Sequence, residues 1–166
     1  MAYEFYISIT GAKQGKFKGD SVGEKGTKDS RAKGKIAGIR YSAETTSPRD
    51  AATGQATGKR IHKPITITKE WDAASPQIFA ALVSNETLKT VLFEFVKPDA
   101  AGREEIYFTV TLTNAVISNV HSYLDLTDTS GDKFDAHDLE DVSFVFQKIT
   151  IENKEANTVA EDDWLL

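Results

Sequence analysis

The sequence predicts a mainly β protein with one short α-helix. Apolar and polar residues alternate along several segments, which is the pattern of a strand with one buried face. The opening segment is an example, because Tyr3, Phe5, Ile7 and Ile9 alternate with Glu4, Tyr6, Ser8 and Thr10. Helix-start signals occur at one place only, near Ser75. With 40% apolar and 27% charged residues, the 166-residue chain has the composition of an ordinary globular domain.

Alternation of period two gives the order of the strands along the chain. Threonine occupies the polar positions of one of them, at Thr109, Thr111 and Thr113, and threonine suits an exposed sheet face. In another, Thr66 and Thr68 alternate with isoleucines. An eighth, short strand is possible within 17–33. The seven predicted strands cover 3–9, 35–45, 61–71, 88–97, 106–112, 115–124 and 142–151.

The helix is predicted from Ser75 to about Asn85. Ser75 is a suitable N-cap and Pro76 fits the first helical position. A helix this short needs a packing partner, so its apolar side should lie against the sheet structure. We expect that side to contain Ile78, Phe79, Leu82 and Val83.

Three segments lack periodicity and are predicted as long loops, 11–34, 46–60 and 125–141. Residues 11–40 carry nine basic and three acidic side chains, whereas residues 123–166 carry twelve acidic and three basic ones. The basic segment contains only one aromatic residue, Phe17, and no nucleic-acid-binding motif, so nucleic acid is not an expected partner. It is either a solvated lysine-rich loop or one half of a complementary pair that favours head-to-tail contacts between copies.

Several kinds of chemistry are absent from the sequence. The chain has no cysteine, which excludes disulfides, thiolate metal sites and a cysteine nucleophile. Nucleophile-elbow and phosphate-binding glycine motifs do not occur, and the three histidines lack metal-ligand spacing. The segment 125–138 resembles a calcium-binding loop, but with Gly131 as its sixth position the first and twelfth would be Leu126 and His137 instead of carboxylates. The sequence therefore indicates neither an enzyme nor a bound cofactor.

The pattern of the N-terminus and of the apolar runs bears on localisation. No run is long enough for a membrane helix, and the first residues, MAYEFYISIT, lack the basic and apolar regions of a signal peptide. We expect the protein to be made in the cytoplasm and, if exported, to use a route without a cleaved signal.

Four segments together resemble the haemolysin-coregulated protein (Hcp) family of type VI secretion. The most characteristic is HKPITITKEWDAASPQIFAAL at 62–82. It is accompanied by REEIYFTVTLTNAVISNV at 103–120, LEDVSFVFQKITI at 139–151 and the aromatic-rich opening strand. Two departures affect the expected subunit contacts, since 11–34 looks long and lysine-rich and 152–166 is strongly acidic.

The resemblance implies an antiparallel β-barrel of two packed sheets with one short lateral α-helix. It assigns 1–151 to a single barrel domain and leaves 152–166 as an acidic C-terminal tail. Members of the family assemble head to tail into homohexameric rings, which stack into a tube like that of a contractile phage tail. The implied partners are other copies of the chain, a contractile sheath, a spike at the tube tip and effector proteins carried in the lumen, without nucleic acid or membrane.

The expected interface residues follow from the family resemblance and from the charge asymmetry. Segment 46–60 occupies the position of the loop that reaches a neighbouring subunit or ring in the family, and it offers Arg49, Asp50, Lys59 and Arg60. The charge asymmetry adds Lys33 and Lys35. One alternative is a monomeric barrel that binds a small ligand, and its discriminating feature is an internal cavity. A second, an enzymatic domain fused to the barrel, has no room after the last strand.

Overall fold

The computed structural model describes residues 4–19, 34–129 and 133–164. These residues form one helix and eleven strands, several of them very short. Their bounds are β1 Glu4–Gly11, β2 Gly15–Lys16, β3 Ile36–Gly38, β4 Arg40–Ser42, β5 Thr45–Thr46, β6 Ile61–His62, β7 Ile65–Glu70, α1 Ser75–Ser84, β8 Leu88–Pro98, β9 Glu104–Thr129, β10 Lys133–Asn153 and β11 Thr158–Asp163.

The strands pair into one antiparallel sheet that closes on itself. Its hydrogen-bonded order is β2–β1–β8–β9–β10–β7–β4, and β3 also pairs with β1. Because β3 and β4 are separated only by Ile39, the segment 36–42 joins the two ends of the sheet. Opposite walls of this closed sheet pack against each other, which confirms the predicted mainly β, antiparallel barrel with one short helix. A separate two-stranded ladder joins β5 to β6.

The barrel interior is filled by aliphatic and aromatic side chains. Ile7, Ile67, Phe93 and Phe144 have no accessible surface. The ring of Tyr41, on the segment that closes the barrel, makes edge contacts with Phe93 and Phe95 at centroid distances of 5.3 and 5.1 Å. Burial raises the pKa of Tyr41 to about 12. Its un-ionised form therefore stabilises the fold up to about pH 10, and that contribution is lost as the pH rises further.

The predicted loop at 125–141 is wrong. β9 continues to Thr129 and β10 begins at Lys133, so this acidic segment is the outer part of one long hairpin. The hairpin extends past the end of the barrel, where a strand needs no apolar face, and alternation therefore failed to reveal it. The two strands predicted at 106–112 and 115–124 are one strand, because β9 is continuous from Glu104 to Thr129. Asn114 interrupts their alternation with a φ of 51°.

Helix α1 differs from its prediction in its cap and its buried side. Its N-cap is Ala74, while the hydroxyl of Ser75 accepts a hydrogen bond from the backbone N–H of Asp72 at 2.9 Å. Ile78 and Ala81 are the buried residues and belong to the barrel core. Phe79 and Val83, predicted on the buried side, are about 60% exposed. Leu82 is half-buried against the core, as predicted, so the buried stripe consists of Ile78, Ala81 and Leu82 and is narrower than the expected face.

The remaining boundary predictions are also changed by backbone pairing. The predicted tail at 152–166 contains β11, which pairs with β10 from Lys148 to Asn153. At the start of the predicted loop 11–34, β2 turns back onto β1, whereas residues 20–33 lie outside the described part of the chain. The segment 61–71 is broken by Pro64 into β6 and β7, since proline has no N–H for the ladder. No helix in the described ranges is long and apolar enough to span a membrane.

Candidate subunit and ring interface

The segment 46–60, called the arm below, projects from the barrel as an ordered loop. It leaves through β5 and returns through β6, so that its two ends are held together by the pairs Thr45–His62 and Thr46–Ile61. Almost all of its residues are exposed. An exposed segment makes few contacts with the barrel core. The conformation of the arm is therefore held by hydrogen bonds within it.

Those internal hydrogen bonds involve two of the predicted interface residues. The Asp50 carboxylate accepts a hydrogen bond from the backbone N–H of Ala52 at 2.7 Å, and the Asp50 N–H donates to the Gln55 carbonyl at 2.8 Å. Arg49 forms a bridge with Ala56 and donates from Nη1 to the Gly54 carbonyl at 3.1 Å. Arg49 and Asp50 therefore shape the tip of the arm, and both remain exposed on it.

The other two arm residues, Lys59 and Arg60, have different environments. The side chain of Lys59 is exposed and forms no ion pair or hydrogen bond with the described residues. Arg60 instead turns towards β11. It forms an ion pair with Asp162 through Nε and donates from Nη2 to the Asp163 carbonyl at 2.9 Å. Arg60 thus joins the root of the arm to the C-terminal strand of its own chain.

Asp162 is shared by two basic side chains, and Arg60, His62 and Asp162 are called the Asp162 cluster below. His62 Nε2 lies 2.6 Å from the same carboxylate oxygen that Arg60 contacts, and His62 Nδ1 lies 3.0 Å from the Thr45 hydroxyl. The hydrogen bond from Arg60, supported by the one with His62, lowers the pKa of Asp162 to about 2. The carboxylate stabilises the folded state above about pH 4, and its contribution is lost as the pH falls through 2.

Of the two lysines predicted at an interface, Lys33 and Lys35, the structure describes only Lys35. Lys35 Nζ donates to Glu94 Oε1 at 2.6 Å, so this lysine already has an acidic partner on β8. Lys33 lies outside the described residues. In the acidic C-terminal region, Lys148 Nζ lies 3.5 Å from Glu161 Oε2. Neither of these two pairs joins the basic segment 11–40 to the acidic region 123–166, so the predicted complementarity between copies stays a prediction.

Polar strand faces cover much of the barrel exterior. One contains Thr109, Thr111 and Thr113, of which Thr109 is buried and the other two are half-buried. Another is a cross-strand row, because Arg40 pairs with Thr68, Thr68 with Asp141, and Asp141 with His121. In this row the Thr68 hydroxyl donates to Asp141 Oδ1 at 2.6 Å. Such polar faces suit either a water-filled lumen or a polar interface.

The described residues contain no group of three or more histidine, aspartate or glutamate side chains that could hold a metal ion. The structure brings together Arg60, His62 and Asp162, but keeps Arg49, Asp50 and Lys59 on the exposed part of the arm.

Comparison with known proteins decides the family. The family described as "Type VI secretion system effector, Hcp" matches residues 6–152. The chain belongs to the Hcp family. It is 39% identical over 169 aligned positions to the "Major exported protein" of Pseudomonas aeruginosa, with 99% of this chain and 96% of that protein covered.

Solved Hcp structures share the fold over nearly the whole chain. The secreted protein Hcp3 from Pseudomonas aeruginosa has a TM-score of 0.77 at 33% identity, with 98% of this chain and 99% of that chain covered. The Hcp1 protein from E. coli EAEC 042, a variant with two introduced tryptophans, has a TM-score of 0.81 at 29% identity with the same coverage. These similarities confirm the family resemblance and the fold inferred from the sequence.

The sequence did not predict that Asp162 contacts Arg60 and His62 at the root of the arm. Asp162 is one of three consecutive acidic residues in a segment without apolar alternation, and nothing in that segment indicates a strand. Its contact with Arg60 spans 102 residues and depends on the register of β11 against β10. No local signal could have identified it.

Proposed function

We propose that this chain is the tube subunit of a bacterial type VI secretion system. Copies associate head to tail into hexameric rings, and rings stack into the inner tube that a contractile sheath expels with a spike at its tip. Membership of the Hcp family carries the proposal. The tube subunit is made in the cytoplasm and leaves the cell by the type VI route, without a cleaved signal, and it carries effector proteins in the lumen.

The exposed arm supports the stacking part of the proposal. Its internal hydrogen bonds hold a defined shape although it contributes nothing to the barrel core. Loops of this length in compact domains are usually either functional or disordered, and the hydrogen bonds within this one favour a functional role. We assign Arg49, Asp50 and Lys59 to the contact between rings, and Arg60 to the root of that contact.

Charge supplies a second contribution to assembly. We assign the basic segment that contains Lys33 and Lys35 to contacts with the acidic region of a neighbouring copy. Because such pairs are screened over a Debye length of about 8–10 Å, assembly should weaken at high salt. Replacing Lys35 by glutamate puts two carboxylates side by side, since Lys35 contacts Glu94. Their repulsion should weaken the fold as well as the assembly.

The filled barrel interior argues against a ligand-binding function. A binding barrel needs an internal cavity, whereas Phe93, Phe144 and Ile67 meet in the centre without accessible surface. No catalytic role is proposed, because no acid–base pair or nucleophile was indicated by the sequence.

Secretion tests the proposed function directly. The chain is expressed in a type VI-competent strain that lacks its own tube protein, and in the same strain without the sheath genes. We expect the protein in the culture medium only when the sheath is present, with a cytoplasmic protein retained in both strains as the lysis control. Equal release without the sheath would contradict the proposal.

A further inference from the structure

Asp162 links the C-terminal strand to the base of the arm. Its carboxylate contacts Arg60, the last arm residue, and His62, which lies on β6 immediately after the arm. Arg60 also reaches the backbone of β11 at the Asp163 carbonyl. The returning limb of the arm is therefore attached to β11 by side-chain and backbone acceptors.

Aromatic packing reinforces this attachment. The His62 ring lies between Phe146 and Trp164, with centroid distances of 5.3 and 5.1 Å, and its side chain is only 8% exposed. Trp164 is itself held against β10, because its backbone N–H donates to the Gln147 carbonyl at 2.9 Å. The root of the arm thus rests on two elements, β10 and the end of β11.

The remainder of the arm has no comparable anchor among the described residues. Its hydrogen bonds beyond the root join arm residues to one another, such as Thr57 to Pro48 and Gly54 to Asp50. Because hydrogen bonds within the arm hold its shape, the orientation of its tip depends on the contacts at its root. A change at Asp162 is consequently transmitted to the exposed tip.

We propose that Asp162 is a positioning residue, which holds the arm in the orientation that contacts the next ring. This inference rests on the proposed stacking role of the arm. It makes β11 part of the stacking site, although β11 itself carries none of the predicted contact residues. The partner of the oriented arm is a second copy of this chain.

The test compares two substitutions on the same strand. Asp162→Asn removes the charge that binds Arg60 and His62. Glu161→Gln removes a neighbouring charge that pairs with Lys148 instead, and is the matched control. Each is made in the full chain and also in a Trp71→Phe background. Because the chain has two tryptophans, Trp164 is then the only fluorescent tryptophan.

Two readouts report the root of the arm when they are taken on protein diluted until it no longer stacks, because no neighbouring ring then protects the arm from trypsin. Trypsin cleaves after Lys59 and Arg60, and loss of the Asp162 contact should increase that cleavage rate about fivefold, because local opening exposes the bond. The emission of Trp164 should change as His62 moves away from its ring. The control should change cleavage less than about twofold, since surface charge pairs contribute little.

The third readout is assembly. For Asp162→Asn we expect rings of unchanged mass by light scattering and loss of stacks by electron microscopy, whereas Glu161→Gln stacks as the wild type does. Normal stacking of Asp162→Asn, or unchanged cleavage and emission, would overturn the inference. Failure of the wild type to stack would contradict the proposed function, and cleavage and emission would still decide whether Asp162 positions the arm.

Discussion

Replacement of Lys69 by methionine should lower the free energy of unfolding by about 3–5 kcal/mol, because it leaves buried carboxylates without their cation. Lys69 has no accessible surface, and its Nζ lies 2.5 Å from Glu140 Oε1 and 2.8 Å from Asp72 Oδ1. It also donates to the Glu70 carbonyl at 2.8 Å. Urea denaturation measures the loss.

The effect is large because a group of four side chains connects three elements. Its members, called the Lys69 cluster below, are Lys69, Asp72, Ser75 and Glu140. Lys69 lies on β7, Glu140 on β10, and the Ser75 hydroxyl at the start of α1 donates to Glu140 Oε1 at 2.8 Å. The cluster therefore fixes the start of the helix against the barrel, in place of the N-cap that Ala74 does not provide.

A double variant is the control for this prediction. Replacing Lys69 by methionine and Glu140 by leucine together removes both main charges, and apolar replacement of a whole buried pair is often neutral. We expect the double variant to recover more than half of the lost stability. A loss below about 1 kcal/mol in the single variant would show that water reaches the site and that the cluster does not hold the helix.

Deletion of residues 50–57 should abolish stacking and secretion while leaving rings intact. The deleted residues are exposed, and the β5–β6 pairs at the root remain. Electron microscopy and the secreted fraction measure stacking and export, and light scattering measures the ring.

A deletion elsewhere separates this effect from loop shortening in general. Ala100 and Ala101 form an exposed turn between β8 and β9, and removing them should leave stacking and secretion unchanged. Normal secretion of the 50–57 deletion would refute the assignment of the arm to ring contact.

The barrel was predictable where one face of a strand is buried. Ile65 and Ile67 on β7, and Val142 and Phe144 on β10, have the alternation that their burial requires. The outer part of the β9–β10 hairpin was not predictable in this way. Its strands are held there by backbone pairing, which leaves no periodic pattern in the side chains.

The sequence does contain a signal for the Lys69 cluster, in the positions of its charged residues relative to the apolar alternation. Lys69 continues the buried alternation of Ile65 and Ile67, and Glu140 precedes Val142 in the same phase. Two opposite charges at core positions of neighbouring strands indicate a buried ion pair. The Asp162 cluster has no such signal, because Asp162 lies 102 and 100 residues from Arg60 and His62 and meets them only through strand register.

The mass of the purified protein in solution tests the central claim most directly. Light scattering after size exclusion, at low and high salt, should give a species of about 109 kDa at low salt, six chains of 18.2 kDa each. Ring-shaped particles in negative stain should accompany it, and high salt should reduce its amount. A strict monomer of 18.2 kDa at every concentration and salt would contradict self-assembly into rings.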